Sequence, residues 1–236
     1  MKIGICLIIK DENEYVEEWL THYRNLGVDK FFIYDNNSSI PIKVDSDDVD
    51  VILWNNEEFG SQNNAYIDCC QKYKDFDYIG FFDTDEFYIS NTMNIKEDLL
   101  NLTNKFGKFD GFGVYWRMYG NPKPYFTERR PVNEYVYYHN NNHIKSFINP
   151  KTIKYFPDPH YPSITGKYID ELGRNVNSPI GNHTSKTIWI KHIWTRSISE
   201  FEHKLKRGDA NKVLRNRTMQ DFIKHNDDCI ISDIND

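Results

Sequence analysis

Residues 2–13 read KIGICLII-KDEN, a stretch from Lys2 to Ile9 that is nearly all apolar and β-branched and then breaks into Lys10-Asp11-Glu12-Asn13. So short and so apolar a run is expected to be a central parallel strand buried on both faces. Its thiol, Cys6, is then a buried core residue. Working outward, Val16, Trp19, Leu20, Tyr23 and Leu26 keep helical spacing, which predicts a helix over Glu14–Leu26 with Gly27 as its stop. Lys30–Asp35 (KFFIYD) reads as a second strand, Asn36-Asn37-Ser38-Ser39 as loop, and Val49–Trp54 as a third strand. Ser61 can cap a helix running to about Tyr73. Asp77–Phe82 (DYIGFF) is a fourth strand that runs into Asp83-Thr84-Asp85-Glu86, and Ile95–Phe106 a further helix. This alternation predicts an α/β fold with a mostly parallel, doubly wound sheet, whose ligands bind beyond the carboxyl ends of the strands. The polar clusters at 10–13, 35–38 and 83–85 lie at those ends.

Beyond residue 106 the pattern loosens. An aromatic strand is expected over Phe109–Tyr119, with shorter β-like runs at Tyr135–Tyr138, His143–Ile148 and Thr187–Ile193. Ser199–Lys224 reads as one or two helices. No linker composition or internal repeat divides the 236 residues, so a single domain is expected over 1–236.

Composition narrows the function. Apolar residues make up 39% and charged residues 27%, with a net charge of −6, so the chain is neither disordered nor membrane-embedded, and a broad nucleic-acid surface is disfavoured. Fifteen Phe, 16 Tyr and 5 Trp can fill a large core and still leave faces for a planar or sugar ligand. Cys6, Cys69, Cys70 and Cys229 lack metal-site or disulfide spacing. The absence of an 18-residue apolar run and of a signal-peptide pattern reads as a cytoplasmic protein. His203–Arg217 concentrates Lys204, Lys206, Arg207, Lys212, Arg215 and Arg217 against Asp209, a basic face that can dock on anionic membrane. The phosphate loops GxGxxG and GxxxxGK[ST] are missing, so another device must hold phosphate.

That device is expected at Asp83-Thr84-Asp85. Two carboxylates at spacing two on a strand point to one side, where they can share a hard divalent cation, Mn²⁺ or Mg²⁺. Crowded carboxylates repel, so a metal or a buried proton is expected among them. The competing reading is a solvated acidic turn.

The ordered series Ile9-Lys10-Asp11-Glu12, Tyr15, Glu18-Trp19-Leu20, His22, Leu26-Gly27-Val28, Tyr34-Asp35-Asn36, Ser38 and Phe82-Asp83-Thr84-Asp85-Glu86-Phe87 resembles glycosyltransferase family 92 and related family 2-like transferases. Gln62, Ala65, Cys69, Trp116, Tyr119-Gly120, Lys145-Ser146, Pro150, His192, Arg196-Ser197, Glu200-Phe201, Lys204 and Arg207-Gly208 continue it, covering about residues 5 to 210.

The resemblance implies a GT-A fold, Rossmann-like with a C-terminal helical segment. Residues 1–106 would be the nucleotide-sugar-binding half and 107–236 the acceptor-binding half. It implies a donor site made by Lys10, Glu12, Asp35, Asn36, Gln62, Asp83, Thr84, Lys145, Lys204 and Arg207, and a metal held by Asp83, Asp85 and His192, with His160 and His183 as rivals to His192. Each of these residues also has a structural reading as a cap, a loop residue or a solvated face. An inverting transfer needs a carboxylate base. Glu134 corresponds approximately to a family Glu, with Glu128 and Asp158 as rivals, although the Arg that usually separates the family Glu from its aromatic neighbour is missing before Tyr135. Trp116, Tyr119 and Tyr125 can stack on acceptor sugars or pack the core. The expected activity is metal-dependent transfer of a hexose, with galactose the candidate, from a UDP-sugar to a glycan or lipid-linked acceptor. The alternatives are a nucleotidyltransferase or metal-dependent phosphohydrolase, and a non-catalytic sugar- or nucleotide-binding module.

Overall fold

The computed structural model describes residues 1–56, 58–181, 186–207 and 217–233, with the side chain of Arg207 outside that description. Its elements run β1 (Ile3–Ile9), α1 (Asn13–Asn25), β2 (Lys30–Asp35), β3 (Val49–Leu53), α2 (Ser61–Lys72), β4 (Tyr78–Phe81), β5 (Glu86–Ser90) and α3 (Ile95–Phe106). Then follow β6 (Gly111–Gly120), β7 (Tyr137–Ile148), β8 (Ile153–Asp158), β9 (Tyr161–Ile164), β10 (Tyr168–Ile169), β11 (Ile188–His192), α4 (Ile198–Arg207), α5 (Met219–Asp228) and β12 (Ile231–Ser232).

The main sheet has the order β3-β2-β1-β4-β7-β6-β11-β5. The first four strands are mutually parallel, and their order is that of a Rossmann half-sheet. β1 sits inside because every one of its residues is buried. Cys6 aligns with Phe32 on one side and Phe81 on the other, and no amphipathic strand could take that place. α1 covers one face with Val16, Trp19, Leu20 and Tyr23, while Ala65, Tyr66, Cys69 and Cys70 of α2 cover the other. Gly27 ends α1 with a φ of 82°, the left-handed conformation that glycine enters without strain. The architecture is α/β, with helices packed on a mixed, mostly parallel sheet. All four cysteines are buried and unpaired.

Three departures from the sequence reading have physical causes. α2 begins at Ser61 with Gly60 as its cap, because the Ser61 hydroxyl donates instead to the Asn56 carbonyl at 2.8 Å. β7 is one twelve-residue strand in place of two short runs. Its pairing with β6 carries it through the Asn140-Asn141-Asn142 tract, a case of tertiary context overriding local propensity. β5 is an added strand held antiparallel by β11, with His192 opposite Glu86. These pairings weave the second half into the sheet and bring β7 and β11 beside the acidic turn. No helix among the described residues is long and apolar enough to cross a membrane.

Candidate functional site

The chain leaves β4 at Phe82, and Asp83-Thr84-Asp85 forms a tight turn into β5. Two core aromatics of α1 clamp that turn from beneath. The Trp19 indole Nε1 donates to the Asp83 carbonyl at 3.0 Å, and the Tyr23 hydroxyl donates to the Glu86 carbonyl at 3.0 Å. From above, Arg196 donates Nη2 to the Thr84 carbonyl at 2.8 Å while stacking on Tyr15 at 3.6 Å. Arg196 has a φ of 53°, as Asp11 and Asn37 have 52° and 59°. Such backbone is costly for non-glycine residues and collects at sites where geometry is over-determined.

The expectation that both carboxylates face one way is corrected here. The triplet is a turn, so positions two apart diverge. Asp83 points to Gln62 Nε2 (3.0 Å) and to Lys145 Nζ (2.9 Å), with Tyr66 behind. Asp85 points to Lys204 Nζ (2.6 Å) and His192 Nε2 (3.5 Å). Among the described residues these three side chains do not close into a three-ligand cluster.

The charges explain the order. Lys145 is wholly buried and lies 3.2 Å from Glu86, itself wholly buried. Desolvation would strip the lysine's proton, but Asp83 and Glu86 hold its pKa well above the ordinary value. Burial pushes Glu86 up to about 8 against the pull of Lys145. Burial also opposes ionisation of Asp85, yet Lys204, His192 and Arg196 keep its carboxyl well below the usual carboxylate range. Burial lowers His192. The repulsion foreseen from sequence is therefore met by two lysines and by a carboxyl at Glu86 that readily keeps a proton.

Asp85 Oδ1 and His192 Nε2 stand 3.5 Å apart, somewhat wider than the roughly 3 Å between neighbouring ligands on a hard octahedral cation with bonds near 2.1 Å. Both atoms are donors that Mn²⁺ or Mg²⁺ accepts, so the residues present are compatible with such an ion, which would draw its other ligands from water or substrate.

The remaining residues divide sharply. Thr84 donates to Glu12 Oε2 at 2.8 Å, so Glu12 buttresses the turn from the end of β1, where Lys10 also stands. Asp35 is buried, and its two oxygens accept the Ser38 and Ile42 amides at 3.0 and 2.9 Å. The Asn36 amide, turned to satisfy its surroundings, donates to the carbonyls of Trp54 and Asn56. Both residues thus hold backbone. Glu134 sits in an exposed 3-10 turn, 3.8 Å from Arg130, and Glu128 accepts from Ser199 on the surface. Asp158 accepts the His160 amide at 2.8 Å in the β8–β9 hairpin. The contacts of Glu134, Glu128 and Asp158 do not include the acidic turn. Tyr119 and Tyr125 bond Asp233 and Asp227 near the C-terminal elements, which favours the packing reading for them. His183 and the Arg207 side chain lie outside the described residues.

Trp116 of β6 fares differently. Its ring lies 4.3 Å from His192, 4.9 Å from His160 and 5.2 Å from His143. Trp116 Nε1 and His192 Nδ1 are both buried and have no hydrogen-bond partner among the described residues. Two orphaned polar atoms on touching rings beside Asp85 mark a place where a polar ligand would repay desolvation. Surface clefts of 280 and 420 Å³ lie elsewhere, lined by Tyr161, Tyr168 and Asn175 and by Asn13, Arg24 and Lys43, so chemistry rather than concavity picks out the site. Sequence reasoning assigned no role to Arg196, Glu86 or Tyr66. Glu86 was visible as the fourth residue of an acidic run, whereas nothing local marks the other two.

The candidate site is thus a lysine-compensated acidic turn at the strand ends of a Rossmann-like half-sheet. The chain belongs to glycosyltransferase family 92, whose family model matches residues 2–221. Similar curated proteins are a glycosyltransferase family 92 protein of Ricinus communis, 25% identical over 114 residues, and one of Arabidopsis thaliana, 26% identical over 126. These matches take in 42% and 48% of this chain but 19% and 21% of the relatives, so they span about a fifth of the length of those proteins. Among solved structures, S. aureus TarS 1–349 gives a TM-score of 0.42 at 12% identity over 64% of this chain and 47% of that one. A197 from STIV gives 0.34 at 14% identity over 79% and 97%.

Proposed function

We propose that the chain is the catalytic domain of a hexosyltransferase that moves a sugar, with galactose the candidate, from a UDP-sugar to a glycan or lipid-linked acceptor with inversion. Residues 1–106 serve the donor and the later strands serve the acceptor. The observation that carries this reading is the acidic turn, with Asp83 and Asp85 each ion-paired to a lysine and Asp85 sharing its other oxygen with His192.

In such a transfer the acceptor oxygen bonds to the anomeric carbon, the bond from that carbon to the diphosphate breaks, and the electron pair leaves on the phosphate oxygen. The acceptor proton passes to a carboxylate base. Lys204 supplies positive charge where the diphosphate charge develops. Asp85 and His192 would hold the divalent cation, Mn²⁺ or Mg²⁺, which as a Lewis acid neutralises that same charge. Lys145 and Gln62 fix Asp83, and Glu12 fixes Thr84. Of the three base candidates, Asp158 is favoured because it orders the backbone of His160, whose ring meets Trp116. Trp116 Nε1 and His192 Nδ1 are offered to sugar hydroxyls.

A second reading, transfer without a metal, is favoured by the 2.6 Å contact of Lys204 with Asp85, which already places a cation there. Thermal shift with UDP, UDP-galactose, UDP-glucose and GDP-mannose, with and without Mn²⁺, separates the two. A shift selective for one nucleotide that needs Mn²⁺ supports the first reading, and one independent of Mn²⁺ supports the second. Release of phosphate or pyrophosphate without sugar transfer would replace both with a phosphohydrolase or nucleotidyltransferase, and no shift at saturation would leave a binding module.

A further inference from the structure

Away from the acidic turn, the fold gathers a set of ligands that linear spacing conceals. His139 of β7, His225 of α5 and Cys229, the residue that caps the end of α5, each offer one ligand atom, and these atoms lie within 4.8 Å of one another. His225 and Cys229 are buried and His139 is half-buried. Cys229 follows His225 by one turn at the C-cap, its Sγ 3.2 Å from the His225 carbonyl, and this end of α5 is pressed onto the end of β6. At Gly120 an added Cβ would stand 2.7 Å from Asn226 Oδ1 and 3.0 Å from Cys229 Sγ, so only glycine admits the helix this closely.

Each imidazole bonds a backbone carbonyl through one nitrogen. The His225 Nε2–H donates to the Tyr119 carbonyl at 3.0 Å, and the His139 Nδ1–H donates to the Asn140 carbonyl at 3.2 Å. His225 Nε2 also stands 4.0 Å from Cys229 Sγ, so a metal here would take Nε2 in exchange for the Tyr119 carbonyl or be met by Nδ1 after the ring turns. Carbonyl partners fix tautomer and ring angle in metalloproteins. The Cys229 thiol donates to the carbonyls of His225 and Met118 at 3.2 and 3.4 Å.

We infer that His139, His225 and Cys229 form a second cation site, distinct from the acidic turn, that takes a borderline-soft divalent metal such as Zn²⁺. A donor set of two imidazoles and one thiolate selects Zn²⁺ or Co²⁺ over Mg²⁺ and Mn²⁺, which prefer oxygen. Bond lengths of about 2.0–2.3 Å require ligand atoms roughly 3.5 Å apart, so the donors must close by about 1 Å. The half-exposed His139 leaves water access to a fourth position. Binding releases the thiol proton to solvent as sulfur bonds the metal, with no change of oxidation state. The cation would tie α5 to β7 across the edge where β12 pairs.

The test uses the whole chain, stripped with a chelator and titrated with Co²⁺, reading the thiolate-to-cobalt charge-transfer absorption in the near ultraviolet. That band reports sulfur ligation and is blind to oxygen sites. The expected result is one equivalent of Co²⁺, displaced by Zn²⁺, with the band lost in Cys229→Ser and kept in Asp85→Asn. Because Cys229 is buried and its variant can misfold, His139→Ala at the half-exposed position serves as the second variant. It should keep the wild-type circular dichroism, bind Zn²⁺ at least tenfold more weakly and lose the rise in melting temperature that Zn²⁺ gives the wild type. No thiolate band at excess Co²⁺, or an undiminished Zn²⁺ affinity in His139→Ala, overturns the proposal.

Discussion

Asp35 and Asp83 occupy equivalent topological places, each at the carboxyl end of a parallel strand of the same half-sheet, and they do opposite things. Asp35 is nearly sealed from solvent and gives both oxygens to main-chain amides at Ser38 and Ile42. Asp83 is partly open and is held by side chains from α2 and β7, one of them a buried lysine. Asp85 beside it is paired to Lys204 and His192. A carboxylate that satisfies backbone amides is finishing a loop. One that needs a lysine delivered from sixty or more residues away carries charge the fold has chosen to keep. Strand-end position alone does not decide what a carboxylate holds; its partners do.

The largest effect is expected at Lys145. Removing it as Lys145→Met leaves Asp83 and the buried Glu86 without their cation, and should cost about 3–5 kcal/mol in urea unfolding. A loss below about 1 kcal/mol would mean that the acidic turn does not depend on lysine compensation. Next, Asp35→Asn should cost about 1–3 kcal/mol, because a donor NH₂ then faces a buried amide, while UDP affinity of the folded variant stays unchanged. Weakened UDP binding in a protein of wild-type stability would return Asp35 to the nucleoside site.

Trp116→Phe sharpens the functional side. It keeps the ring face and removes the orphaned N–H, so stability should move by under about 1.5 kcal/mol. Transfer should slow by up to about tenfold, the worth of one hydrogen bond. Unaltered transfer would make Trp116 a packing residue. The smallest effect belongs to a surface pair, the bidentate Arg24–Asp48 contact at 2.7 and 2.9 Å. Its hydrogen bonds hold the Asp48 carboxyl down at about 2 against an ordinary value of 3.8. A depressed folded-state pKa stabilises the protein above the unfolded value and is lost as pH falls from about 4 to 2. Arg24→Ala should therefore remove roughly 0.2–1 kcal/mol at pH 7 and nothing near pH 2, measured by urea midpoints across pH.

The half-sheet was readable because its signals are local. KIGICLII announces a strand buried on both faces, KFFIYD has the boundaries of β2, and Ile95–Phe106 those of α3. The acidic turn was also readable as a motif. Its wiring was not, since Lys145, Arg196 and Lys204 reach it from β7, β11's trailing loop and α4 across separations of 62, 112 and 119 residues. Periodicity carries no information about such pairings. The Asn140–Asn142 tract inside β7 reads as loop until β6 is laid beside it. His139 joins His225 and Cys229 only through that same pairing. Resemblance ordered the residues along the chain, but it could not tell that Asp35 and Asn36 bind backbone.

The most direct test of the central claim is isothermal titration of UDP in the presence of Mn²⁺ against Asp85→Asn and Asp35→Asn, each first shown to be folded. Mn²⁺-dependent UDP binding is expected to disappear in Asp85→Asn and to survive in Asp35→Asn. Wild-type binding in Asp85→Asn, with or without loss in Asp35→Asn, would contradict the claim and move the donor site away from the acidic turn.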